Sequence, residues 1–186
     1  MSQSGCIQID FGVERGSNQA LRAVQKGISV EMLRKTFALC HQYHIRTFAN
    51  FLVNLPGEKK KDLTDIINLA RNLKSEIYSF NVFSPYPGTE IYDQMSYRFS
   101  KDEYEKLFNA SDLIQSQPQK YRFSQHKIDI LAWANQQNYR FNRIWPNLKF
   151  HLSYQYLNTI IHSPQKYNYL QQFLNLVKEL INQKIN

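Results

Sequence analysis

The sequence is poor in cysteine, and this limits the metal chemistry that it can support. Its 186 residues contain only two cysteines, Cys6 and Cys40. An iron–sulfur cluster takes three or four protein ligands, so these two thiols alone cannot hold one. We see no export signal, and a disulfide is not expected in a reducing cytosol. Both cysteines are therefore predicted to be ordinary buried thiols.

Long apolar runs are also missing from the sequence. The longest, such as Phe51-Leu52-Val53, fall far short of the roughly 20 residues that a membrane-spanning helix needs. The opening residues Met1 to Gly5 carry neither the basic nor the apolar region of a signal peptide. We therefore expect a cytoplasmic protein with no membrane association.

Two common nucleotide-binding loops are absent as well. The sequence contains neither a GxGxxG run nor a GxxxxGK[ST] run. These glycine-rich loops bring backbone N–H groups close to phosphates in two large classes of nucleotide-binding proteins. Their absence argues against an independent nucleotide-binding domain.

The charge that is present is unevenly distributed. The formal net charge is +8, and residues 97–186 hold 12 Lys and Arg against 6 Asp and Glu. A basic bias favours acidic partners such as RNA, whereas scattered lysines more often form a solvated surface. The aromatic residues of this half suit base stacking or, at their helical spacing, core packing; they include Trp133, Tyr139, Phe141, Trp145, Phe150, Tyr154 and Tyr156.

The first half of the chain alternates between strand and helix patterns. With 42% hydrophobic and 20% charged residues, the full chain has a globular composition. Period-2 or continuous apolar runs predict strands at residues 6–13, 46–54 and 77–83, with helices at 18–25, 30–44 and 62–73. Ser29 stands at the N-cap position of the second helix. Strands separated by helices imply a parallel sheet. Because three parallel strands leave an edge exposed, we expect further strands on the N-terminal side.

The second half of the chain has few glycine and strand signals and is predicted to be helical. Its helices are expected at residues 102–115, 125–138, 148–162 and 167–184. We therefore predict two parts: residues 1–96, an α/β unit that is an incomplete barrel of three parallel strands, and residues 97–186, a helical extension.

The loops that follow the three strands are the expected ligand site, because parallel sheets bind ligands there. Glu14 in the first loop suits a ribose hydroxyl or an amino group, or else pairs with Arg15 in solvent. Leu55-Pro56-Gly57-Glu58 in the second loop suits a flat ligand, or simply a turn into a helix. Pro85 begins a rigid third loop, in which Thr89 caps a short helix.

Taken together, these segments resemble a known family. The matching residues, in chain order, are Gly5-Cys6, Phe11-Gly12-Val13-Glu14-Arg15-Gly16-Ser17, Leu21, Lys26-Gly27, the stretch from Phe51 to Glu58, and Pro85-Tyr86-Pro87-Gly88-Thr89. In order and spacing, residues 5–95 resemble the later part of the catalytic domain of radical S-adenosylmethionine (SAM) enzymes. The similarity is greatest to those with a cobalamin-binding domain and to the methylthiotransferases.

This resemblance implies a fold and a set of site residues. The three strands correspond to the fourth, fifth and sixth of a partial (β/α)6 barrel. Glu14 corresponds to a contact with the ribose or methionine part of SAM, and the strand of Phe51 and Val53 to the one that packs against adenine. The cofactor-binding residues implied are Glu14, Arg15, Phe51, Val53, Asn54, Pro56 and Pro85, and no metal ligand is assigned.

The sequence also departs from the family. Asn54 stands where the family usually has Gly, and Arg15 where it usually has Ser. The family's CxxxCxxC loop, which binds a 4Fe–4S cluster, is not in this sequence. We therefore expect part of a radical SAM enzyme that is inactive alone, with a missing N-terminal half as its partner. That half would supply the 4Fe–4S cluster and any cobalamin, and the substrate is unknown.

Two alternative interpretations of the sequence stay open. In the first alternative, the chain is a non-catalytic interaction or RNA-binding module that uses the basic, aromatic C-terminal half. Cys40 and His44 share a face of one predicted helix, as zinc ligands sometimes do, and His41 lies between them. Because no second pair of ligands lies near them in the sequence, we favour Cys40 as a core residue.

Overall fold

A computed structural model describes residues 1, 4–94, 98–105, 122–142, 144–162, 167–168, 170–171 and 174–175. The strands are β1 (Gln8–Glu14), β2 (Arg46–Val53) and β3 (Ile77–Val82). The helices are α1 (Asn18–Ala23), α2 (Val30–Gln42), α3 (Lys60–Leu73), α4 (Glu90–Asp93), α5 (Lys101–Glu105), α6 (Ile130–Phe141), α7 (Ile144–His151) and α8 (Tyr154–His162).

The three strands form one parallel sheet in the order β1-β2-β3, so the predicted α/β class and parallel sheet are confirmed. Phe48 of β2 lies level with Asp10 of β1 and with Ile77 of β3. The pairing of β1 with β2 is irregular between Gly12 and Glu14. All three strands end at the same edge of the sheet, because parallel strands run in one direction.

Side-chain caps fix where several helices begin. Ser17 accepts a hydrogen bond from the backbone N–H of Ala20 at 3.3 Å, and Ser29 accepts one from Met32 at 3.2 Å. At the start of α3, Asp62 accepts from the backbone N–H of Lys59 at 2.7 Å. Such caps satisfy backbone donors that have no partner within the helix. The predicted N-cap at Ser29 is confirmed.

The core lies between the sheet and helices α2 and α3. Alternate residues of β2 are fully buried, namely Ala49, Phe51 and Val53, and they belong to a cluster with residues of both helices. Phe48, Asn50 and Leu52, which alternate with them, are only partly buried. The sheet is therefore covered closely on the face toward the helices and less closely on the other.

Two asparagines at the end of α6 close the free edge of β3: Asn138 in its last turn and Asn142, its C-cap. Asn142 accepts a hydrogen bond from the backbone N–H of Tyr78 at 2.8 Å and donates to its carbonyl at 2.8 Å. Asn138 accepts from the N–H of Phe80 at 2.8 Å and donates to its carbonyl at 3.3 Å. Their spacing of four residues places both amides on one face of the helix. The backbone of β3 is thus bonded here as a further strand would bond it.

Removing these two amides should expose the edge of β3. We expect Asn138→Ala together with Asn142→Ala to lower the free energy of unfolding by about 1–3 kcal/mol, because backbone groups of Tyr78 and Phe80 lose their partners. Hydrogen exchange of those two backbone amides should become faster. Asn135→Ala, at an exposed position of the same helix, is the control. Unchanged exchange at both amides would show that the asparagines do not hold this edge.

The second half differs from the prediction in its boundaries. The helix predicted at residues 125–138 begins only at Ile130, because Asp129 caps it by accepting from Ala132 at 3.1 Å. The helix predicted at 148–162 is interrupted, since α7 ends at His151 and Ser153 accepts from the N–H of Tyr156 at 3.3 Å. Most of the helices predicted at 102–115 and 167–184, and the boundary at residue 96, lie outside the described residues.

Two aromatic residues of the second half pack into the core, as their helical spacing indicated. The ring of Trp133 meets that of Phe80 edge-on at 5.8 Å, and Phe141 contacts the same ring at 5.4 Å. Both are partly buried and pack against the hydrophobic cluster, which favours core packing over base stacking. Among the described residues, no helix has the length and hydrophobicity required to span a membrane.

Candidate functional site

A cavity of about 680 Å³ lies at the carboxyl ends of the three strands. All three strand ends contribute to it: Glu14 is the last residue of β1, and Pro56 and Phe83 lie in the loops after β2 and β3. Its other lining residues are Ala23, Val24, Lys26, Leu52, Leu55, Ile91, Gln94 and Phe123. The walls are mostly apolar, and the charged groups among them are Glu14 and Lys26. This is the end of a parallel sheet at which ligands generally bind.

Glu14 is held at the end of β1 by an ion pair. Its carboxylate accepts from the ammonium group of Lys26 at 3.0 Å, and both side chains are partly exposed. The backbone of Glu14 has φ 64°, a left-handed conformation that is uncommon for residues other than glycine and recurs at functional sites. A Cβ at Gly12 would lie 2.6 Å from the Glu14 carboxylate, so glycine leaves room for the pair. The alternative pairing of Glu14 with Arg15 is wrong.

Arg15 instead forms a buried ion pair with Glu58. Both residues are almost completely buried, at 3% and 2% exposure. Arg15 also donates to the carbonyl of Leu52 at 2.9 Å, and Glu58 accepts from the backbone N–H of Asn54 at 3.0 Å. The sequence also allowed a simpler role for Glu58, as an acid that is favoured near a helix N-terminus. That role does not include the ion pair with Arg15. The pair ties the loop after β1 to the loop after β2.

A segment of the second half crosses these loops. We call residues 122–126 the strap. The backbone N–H of Phe123 donates to the side-chain carbonyl of Asn54 at 3.1 Å, and that of Gln125 donates to the backbone carbonyl of Glu58 at 2.8 Å. Nε2 of His126 lies 2.9 Å from the Glu58 carboxylate, which can only accept, so the ring nitrogen is the donor. The strap therefore brings Phe123 to the cavity.

The structure brings together only some of the residues that the resemblance implies for cofactor binding. Glu14 and Pro56 line the cavity, and Arg15 lines an adjoining cavity of about 460 Å³ that shares Pro56. The side chains of Phe51, Val53, Asn54 and Pro85 are fully buried. The sequence analysis assigned no binding role to Lys26, Leu52, Phe83 or Phe123, although Lys26 and Leu52 lie in the motifs that carry the resemblance. Of these, Leu52 had a signal, because it alternates along β2 with the buried Phe51 and Val53.

The alternative metal site of Cys40 and His44 gains no support from the structure. Helix α2 ends at Gln42, and His44, with φ 53°, lies beyond it, so the two residues do not share a face of one helix. Cys40 is buried, and this burial raises the pKa of its thiol, which disfavours the thiolate that binds metals. Nε2 of His41 lies 3.8 Å from a carboxylate oxygen of Glu76. Within the described part of the chain, no group of three or more His, Cys, Asp or Glu side chains is placed to hold a metal ion.

Comparison with known proteins finds relatives that match about half of the chain. No family model matches it. An uncharacterized methyltransferase of Pyrococcus horikoshii is 25% identical over 50% of this chain and 20% of its own length. A tRNA-2-methylthio-N(6)-dimethylallyladenosine synthase of Psychrobacter cryohalolentis is 30% identical over 56% of this chain and 22% of its own length. An anaerobic magnesium-protoporphyrin IX monomethyl ester cyclase of Rubrivivax gelatinosus is 22% identical over 56% of this chain and 19% of its own length.

The chain is thus distantly similar to a methyltransferase and to radical SAM enzymes. To this extent the resemblance seen in its motifs is confirmed. The chain spans about a fifth of the length of these curated relatives.

Proposed function

We propose that this chain forms three consecutive strands of a radical SAM barrel and that the cavity at their carboxyl ends binds SAM. The observation that carries the proposal is the position and lining of this cavity, which has mostly apolar walls and one ion pair, Glu14 with Lys26. SAM combines a flat adenine with a ribose and a charged methionine part. Apolar walls suit the adenine, and the ion pair offers an acceptor and a donor to the polar parts.

The two edges of the sheet support the position of these strands within a longer barrel. The edge of β3 is bonded by Asn138 and Asn142, whereas β1 pairs only with β2 among the described residues. An unpaired parallel edge is a site for adding a further strand. We propose that the rest of the barrel joins β1, from elsewhere in the same polypeptide or from a separate chain. The less covered face of the sheet would then face the barrel interior.

The cysteines of this chain do not fit the iron–sulfur cluster of that family. Cys6 comes before β1 and Cys40 lies near the end of α2, so neither belongs to the loops that form the cavity. Two thiols also supply too few ligands. The cluster would have to be bound by other residues, and we assign no chemical step to it. A link to cobalamin rests on the motif resemblance alone, and the substrate is left unassigned.

Binding of SAM to the chain tests the proposal. We expect saturable binding, which Glu14→Gln should weaken about tenfold, equivalent to about 1.4 kcal/mol, because the neutral amide no longer attracts the cationic methionine part. Isothermal titration calorimetry measures both affinities. Asp93→Asn removes a carboxylate from an exposed position of α4, between the cavity residues Ile91 and Gln94, and is the matched control. A wild-type chain that does not bind SAM would contradict the proposal.

A further inference from the structure

We propose that Phe123 is a ligand-contacting residue of the cavity, with its ring forming a wall for the adenine of SAM, and that Asn54 and Glu58 position it through the strap. The inference rests on the proposed function, since it concerns the same cavity. It adds a contact from the second half of the chain, which the motif resemblance does not cover. The ligand feature that it recognises is the flat aromatic base, and not the methionine part.

The ring of Phe123 is placed to act as such a wall. It lines the cavity and meets the ring of Phe83 at 5.8 Å with an angle of 78° between the ring planes. Phe83 follows β3 and also lines the cavity. Two aromatic rings, from the sheet and from the strap, therefore form an apolar corner. A flat base gains by stacking on one ring and meeting the other edge-on.

The way the strap is anchored leaves this ring available. The bond to Asn54 uses the backbone N–H of Phe123, so the side chain takes no part in anchoring. The next anchors are the backbone N–H of Gln125 and the ring of His126, both bonded to Glu58. Asn54 and Glu58 are almost completely buried, where hydrogen bonds are costly to lose. The strap is therefore held in one position over the loop after β2.

Asn54 supplies a hydrogen-bond acceptor that holds the strap at this place. Its backbone has φ 70°, a conformation that glycine adopts readily and that asparagine tolerates better than most residues. Its side-chain carbonyl accepts the bond from Phe123. Glycine, which the resembled family usually has here, would keep the backbone conformation but offer no such acceptor. Asn54, in place of the family's usual glycine, thus provides a bond that holds the strap. The side chain of Asn54 is buried and does not enter the cavity.

The first experiment measures ligand binding at the cavity with two probes, SAM and 5′-deoxyadenosine. Phe123→Ala should weaken the binding of both about tenfold, because both lose the stacking partner of the base. Phe123→Trp should restore most of the affinity. Tyr139→Ala, which removes an exposed aromatic ring of α6, is the control and should change neither affinity. Equal binding by the wild type and Phe123→Ala would overturn the inference and leave the proposed function standing.

The second experiment tests the anchoring without a ligand. Asn54→Gly should accelerate hydrogen exchange at the backbone amide of Phe123 and weaken SAM binding less than Phe123→Ala does. Unchanged exchange would overturn the positioning role of Asn54. A wild-type chain that binds neither SAM nor 5′-deoxyadenosine would overturn the proposed function, and the contact role of Phe123 with it. The exchange measurement would still decide whether Asn54 holds the strap.

Discussion

Replacing Glu58 with Gln is expected to lower the free energy of unfolding by about 3–5 kcal/mol, the range measured when one partner of a buried ion pair is removed. The guanidinium group of Arg15 would stay buried without a counterion. The substitution also replaces the carboxylate that accepts from Asn54 and His126. Urea denaturation followed by circular dichroism measures the change.

Two further variants make this test specific. Arg15→Met combined with Glu58→Gln should be more stable than Glu58→Gln alone, because no buried charge is then left without a partner. Asp102→Asn, at an exposed position of α5, should change the stability by less than about 0.5 kcal/mol. If Glu58→Gln unfolds at the same urea concentration as the wild type, the ion pair does not stabilise these loops.

Replacing Gly16 with Ala is expected to lower the free energy of unfolding by about 3 kcal/mol, at the upper end of overpacking costs. A Cβ at this position would lie 2.2 Å from the backbone carbon of Asp65 and 2.2 Å from the backbone nitrogen of Ile66. Because these are backbone atoms of α3, no side-chain rotation can relieve the clash. The loop after β1 would have to move away from the helix. Thermal and urea unfolding measure the loss.

The control for Gly16 is a glycine with open space around it. Gly88 has φ 85°, and an added Cβ there would meet no atom within 4 Å. Gly88→Ala should therefore cost only the conformational penalty of about 1–2 kcal/mol. A loss at Gly16 no larger than the loss at Gly88 would contradict the close approach of the loop to α3. The comparison separates a steric cost from a backbone cost.

The elements of the first half could be predicted from the sequence because their signals are local. A run rich in aromatic and branched apolar residues indicated β2, and Ser29 before an apolar helical pattern indicated the start of α2. Thr89 was likewise predicted as a cap, and it accepts from the N–H of Tyr92 at 3.3 Å. The parallel order follows from the alternation of strands and helices. The position of the cavity follows in turn from the parallel order.

The contacts that complete the site could not be predicted, because they join residues far apart in sequence. Arg15 and Glu58 are 43 positions apart, and Asn54 and Phe123 are 69 apart. Neither pair forms a local pattern, and each polar side chain has several candidate partners until the fold is known. The same holds for Asn138 and Asn142, whose bonds to β3 join residues that are 58 and 64 positions apart.

The most direct test of the central claim is an NMR titration of the isotopically labelled chain with SAM. We expect saturable shifts of the backbone amides around the cavity, at Glu14, Leu55, Phe83 and Phe123, and none at the opposite end of the sheet, around Arg46. Such a pattern would support SAM binding at the carboxyl ends of the strands. The absence of saturable shifts, or shifts centred on Arg46, would contradict it.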